Sequence, residues 1–232
     1  MQQNIYTILK NGYYIPLLFP LVYYYTNHFL LSTTITLKMF PANYMFWYAH
    51  KFDFSFADRR YNQIRQVVRF TDTGYLASIL AIQSPSYIPL AYNVHFAITF
   101  GYWIAKGVLG LDDVDRTNGP TYDIAFEKFW GAIIHGAPLA ILLQKILTTN
   151  YLDQCPYYFS TRDLMVSYVW LWVWGVFVYI PWRIRTGDPV YSFMDWKTPV
   201  VVKIGGIVLV HVLLAISNIT GRYIYEGSNM NV

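Results

Sequence analysis

From Leu164 to Trp182 the chain reads LMVSYVWLWVWGVFVYIPW, with no charged residue anywhere in the run. About 20 apolar residues cover the ~30 Å hydrocarbon core of a bilayer, so a helix over this stretch has the length and the surface of a membrane span. The same reading predicts spans at Tyr13 to Leu37, Val67 to Gln83, Tyr87 to Val108, Glu127 to Thr148 and Pro199 to Thr220. Breaks separate them at Ser84-Pro85-Ser86, at LDDVDRTNGP and around Pro156. Charged residues make up 13% of the chain against the ~25% usual in soluble domains, while 55% are hydrophobic. The expected fold is therefore all-α, a polytopic transmembrane helical bundle of about six spans in a single membrane domain. Residues 1–66 would supply the first helix and an aromatic interfacial loop (YMFWYAHKF), and residues 67–232 the other five helices.

The N-terminal stretch has no small-residue cleavage site and reads as a retained helix. Lysine and arginine orient the bundle, because they concentrate in loops on the cytoplasmic or matrix side. All except Lys10, Lys145, Arg162 and Arg222 fall on the face formed by the first, third and fifth loops, so both termini should lie opposite. The net charge of +4 is dispersed, with no basic run, which disfavours nucleic acid as a partner. Cys155 is the sole cysteine, which excludes an internal disulfide and a cysteine-based metal site.

Ionisable and hydroxyl groups inside the predicted spans are the candidates for chemistry, since such groups are expensive to place in lipid. With a rise of ~1.5 Å per residue, Thr71 and Thr73 should lie roughly 6 to 9 Å below the positive face and His135 roughly 12 Å below it. A hydroxyl and an imidazole at similar depth are the minimum set for nucleophilic acyl transfer. The competing structural reading has both residues making ordinary helix-to-helix hydrogen bonds. His95 and His211 sit near the midplane of the third and sixth spans and offer a weaker alternative, axial ligation of one haem. Asn93, Gln144, Ser217 and Asn218 read as buried helix-to-helix contacts, Asp72 as a favourable charge at a helix N-terminus, and Trp170, Trp172 and Trp174 as lipid-facing bulk. No Gly-x-Ser-x-Gly or His-Glu-x-x-His motif is present, which disfavours a serine esterase or zinc protease.

Three stretches carry a family resemblance: Arg69 to Gly74 (RFTDTG), Trp130 to Gln144 (WGAIIHGAPLAILLQ), and Tyr168 to Met194, which ends in Thr186-Gly187-x-x-Val190-Tyr191. Together they resemble the androgen-induced protein (FAR-17a type) family, six-helix membrane threonine hydrolases acting on fatty acid esters of hydroxy fatty acids. The resemblance implies Thr71 as nucleophile, with Thr73 as the alternate, and His135 as base. It also implies substrate or oxyanion contacts from Thr186, Gly187, Asp188 or Tyr191, with no cofactor. Ala132 and Ser192 depart from the family pattern. That departure motivates a second expectation, a non-catalytic accessory subunit of a larger membrane complex such as a mitochondrial respiratory-chain or ATP-synthase assembly. Membrane lipids, and in the second case other subunits, are the expected partners. The expected location is an integral position in the endoplasmic reticulum or the mitochondrial inner membrane.

Overall fold

A computed structural model describes residues 68–108, 121–148 and 159–229, and these are helical with no strand among them. The helices are α1 (Phe70–Gln83), α2 (Ile88–Gly107), α3 (Thr121–Thr148), α4 (Thr161–Thr186) and α5 (Val200–Asn229). The expected span at 13–37 and the interfacial loop after it lie outside the described residues.

The helix boundaries follow local chemistry. Ser84-Pro85-Ser86 breaks the first pair through a short 3-10 turn, Pro85–Tyr87, and Pro89 opens α2 where no helical amide is needed. A capping box starts α4: the Ser160 hydroxyl accepts the Asp163 amide at 3.3 Å, and the Asp163 carboxylate accepts the Ser160 amide at 2.7 Å. Gly187, at φ +74, ends it in the left-handed conformation that favours glycine. Within α4, Gly175–Tyr179 forms a π turn. Pro181 accounts for it, since a proline ring in a helix clashes with the carbonyl four residues back and a wider turn relieves the clash.

Helix α2 is the hub and packs against each of the other four. Its residues Ile88, Ala91, Tyr92, Asn93, Val94 and His95 are almost wholly enclosed. Small residues let α1 come close: Ala77 and Ala81 are buried, and a methyl group built on Gly74 would lie 2.7 Å from Ile98 Cδ1 and 3.0 Å from the His95 ring. Before α4, Phe159 sits at φ 59 with its ring against Gly221, where any larger residue would collide, and it meets Tyr92 edge-on at 5.3 Å.

Polar pairing fixes the helices' register. Asn93 donates through Nδ2 to Ser167 Oγ (3.0 Å) and Asn218 Oδ1 (3.1 Å), while Ser217 Oγ donates to Asn93 Oδ1 at 2.9 Å. Asn218 in turn donates to the carbonyls of Phe159 and Ser160. Three helices thus meet in one satisfied network, as expected for Asn93, Ser217 and Asn218. Gln144 differs from expectation, because its position on α3 turns it to the exposed side of the bundle.

Two helices, Thr161–Thr186 and Val200–Gly227, are long and apolar enough to cross a membrane. Their outward faces are apolar too: Val169, Trp172, Val176 and Phe177 on α4 and Val201, Ile204, Val208 and Ile219 on α5 are all exposed. An aqueous solvent would penalise such a surface and a bilayer would not. By contrast α1 has 14 residues, about 21 Å at the helical rise, which falls short of the ~30 Å of a full span.

Candidate functional site

The site is built where α1 begins, against the middle of α3. Thr71 is the second residue of α1 and 5% exposed. Its Oγ1 lies 3.3 Å from Nε2 of His135, 64 positions later in the chain and on a different helix. That separation is near the upper end of hydrogen-bonding range. Thr73, two residues on, faces elsewhere and donates to its own helix, at the Phe70 carbonyl, over 2.7 Å.

A proline one turn beyond His135 shapes its surroundings. Pro138 has no amide hydrogen, so the carbonyl of Ile134 loses its normal helical donor. The Tyr75 hydroxyl of α1 donates to that carbonyl instead, at 3.1 Å. One residue on, the Thr99 hydroxyl of α2 donates to the His135 carbonyl. The imidazole is held as well: the Tyr102 ring stacks on it with centroids 4.0 Å apart and planes 8° from parallel. Lys106 Nζ donates to the Tyr102 hydroxyl at 2.9 Å from the next turn of α2. Both backbone and ring of His135 are therefore positioned by side chains from two other helices.

The start of α1 is held from the opposite side by α4 and the loop after it. Arg69 supplies no side-chain cap, and the first-turn amides of any helix lack internal partners. The Phe70 amide is taken by the Tyr191 hydroxyl, 2.7 Å away and 121 positions later. Trp174 Nε1 donates to the Val68 carbonyl at 2.9 Å, and the Trp174 ring meets Phe70 edge-on at 5.1 Å. Tyr191 also contacts Trp174, at 6.3 Å between ring centroids. Trp174 is thus a clamp on the start of α1, where bulk facing lipid was expected. Trp172, 56% exposed, does face outward, and Trp170 packs partly on the core.

The other loop candidates serve the loop's own shape. Thr186 Oγ1 donates to the Trp182 carbonyl (2.8 Å) and accepts the Asp188 amide (3.2 Å). Asp188 Oδ1 accepts the Val190 amide at 2.9 Å, and Val190 adopts φ 60 beside it. These bonds aim Tyr191 at α1. Gly187 gives the reversal its left-handed residue.

His95 and His211 are engaged with different helices. His95 Nε2 lies 2.8 Å from Ser78 Oγ of α1, and the Tyr75 ring meets its edge at 5.6 Å. His211 sits within 2.8 Å of the Ile207 carbonyl through Nδ1 and packs on Tyr168 and Trp172 of α4. A shared haem between them has no support in this arrangement. Tyr75, Thr99 and Tyr102 were not legible as site residues. Pro138 was the available signal, since a proline within a helix creates a carbonyl that something must satisfy.

No family model matches this chain, and no match to a curated protein or a solved structure was found.

Proposed function

We propose that this chain is a membrane-embedded hydrolase of lipid esters, with Thr71 as nucleophile and His135 as general base and acid. The observation that carries the reading is the 3.3 Å approach of Thr71 Oγ1 to His135 Nε2 between two helices, with the imidazole stacked on Tyr102. Neutral His135 accepts the Thr71 proton as Oγ1 attacks the ester carbonyl carbon. It then returns that proton to the departing alkoxide, which leaves as the alcohol. Water, deprotonated by His135, attacks the acyl-threonine, and Thr71 is released with the fatty acid as product. The amide of Thr71, in the first turn of α1, is the candidate donor to the oxyanion, a contribution worth about 3 kcal/mol in such sites. A long-chain ester dissolved in the bilayer would approach between helices.

This proposal includes the six-span arrangement and the relationship to the androgen-induced protein (FAR-17a type) hydrolases, for which the local motifs around Thr71, His135 and Tyr191 speak. The organelle, endoplasmic reticulum or mitochondrial inner membrane, belongs to the proposal as well. A second reading, an accessory subunit of a larger membrane complex, is favoured by the broad exposed apolar faces of α4 and α5, which partner helices could cover as well as lipid.

Incubation of the purified protein with a long-chain fluorophosphonate tests the reading. Mass mapping should place the adduct on Thr71, with labelling lost in His135→Ala. An unlabelled protein that co-purifies in fixed stoichiometry with a large complex would favour the subunit instead.

A further inference from the structure

The end of α4 and the beginning of α5 carry a cluster that the proposed hydrolysis does not use. Arg183 lies in the last turn of α4 and Lys203 in the first turn of α5, at the same end of the two helices able to cross a membrane. Both cations converge on one ring: the Arg183 guanidinium carbon is 4.9 Å and Lys203 Nζ 5.7 Å from the centroid of Trp196, itself 79% exposed.

Among the described residues no carboxylate lies within ion-pair distance of Arg183 or Lys203. The loop's own acids are occupied, Asp188 with the Val190 amide and Asp195 with the Lys197 amide. Arg183 uses Nη1 on the Gly187 carbonyl, whereas its buried Nη2 has no hydrogen-bond acceptor. A guanidinium and an ammonium that both contact one exposed indole, at the end of two apolar helices, are the components of a headgroup site. Tryptophan favours the membrane interface, and basic pockets between helix ends there bind anionic headgroups.

We propose that Arg183, Lys203 and Trp196 form a site for the phosphate of an anionic phospholipid. The phosphate takes its charge partners from the Arg183 guanidinium and the Lys203 ammonium, while the indole lies along the glycerol region and the exposed Ile184 meets the acyl chains. This inference is independent of the chemistry at Thr71.

The test is native mass spectrometry of the full-length protein in non-ionic detergent with equimolar phosphatidylglycerol and phosphatidylcholine. One phosphatidylglycerol should be retained in preference. Lys203→Gln should lower that preference about fivefold and Arg183→Gln with Lys203→Gln should abolish it, since each cation near the surface contributes about 1 kcal/mol. Lys203→Arg should keep it, as should Arg222→Gln, which removes a cation on the distal half of α5. Equal retention of the two lipids by the wild type, or a preference that survives the double substitution, overturns the site. Millimolar inorganic phosphate should not displace the lipid. Displacement would assign the site to soluble phosphate and overturn the lipid claim.

Discussion

The Tyr75 hydroxyl occupies the Ile134 carbonyl that Pro138 leaves without a helical donor. A proline in one helix is thereby made into an attachment point for another, one residue from the candidate base. Tyr75→Phe leaves that buried carbonyl unsatisfied and should cost about 1 to 3 kcal/mol. Pro138→Ala restores the amide, so the loss should be smaller in the Pro138→Ala background. Thermal unfolding of the four proteins in one detergent measures the coupling; additive losses would contradict it.

A methyl group on Gly74 would meet Ile98 Cδ1 at 2.7 Å and the His95 ring at 3.0 Å, so one of the two must shift. Gly74→Ala should destabilise by about 1 to 3 kcal/mol through overpacking, despite alanine's better helix propensity. Ile98→Val removes the Cδ1 atom in closest conflict and should recover part of the loss. Melting temperatures of the single and double variants check this.

Tyr191 caps α1 from across the fold. Tyr191→Phe keeps the aromatic contacts with Trp174 but leaves the Phe70 amide without its acceptor, a cost of about 1 kcal/mol. Local opening at the start of α1 should increase, read as faster hydrogen exchange in the peptide containing Phe70 and Thr71. Unchanged exchange there would show that the cap is dispensable.

Asn93 joins Ser167, Ser217 and Asn218 in a buried network. Asn93→Leu strands several polar partners at once and should cost about 3 kcal/mol, more than Asn93→Ser, which keeps a donor and an acceptor. Denaturant titration of the two variants gives the comparison.

How much of this the amino-acid sequence disclosed depended on whether the signal was local. Helices α4 and α5 were legible because unbroken apolar runs announce themselves, and the break at Pro85 because proline does. Helical rise allowed Thr71 and His135 to meet, but the face His135 turns is set by α2, whose Thr99 and Tyr102 reach α3 from a helix whose own pattern says nothing of it. Trp174 and Gln144 were misread for the same reason. An indole inside an apolar run faces lipid or protein according to what packs beside it, and here Val68 arrives to accept its hydrogen bond. In Gln144, an amide in an apolar run suggested burial, while the residue is exposed on α3.

Steady-state hydrolysis of long-chain lipid esters by purified protein tests the pairing of Thr71 with His135 most directly. Thr71→Ala and His135→Ala should each reduce kcat by about 100-fold or more, Thr71→Ser should retain turnover, and Thr73→Ala, whose hydroxyl is spent on the Phe70 carbonyl, should leave it nearly unchanged. Hydrolysis that persists in Thr71→Ala, or that is abolished by Thr73→Ala instead, would contradict the assignment.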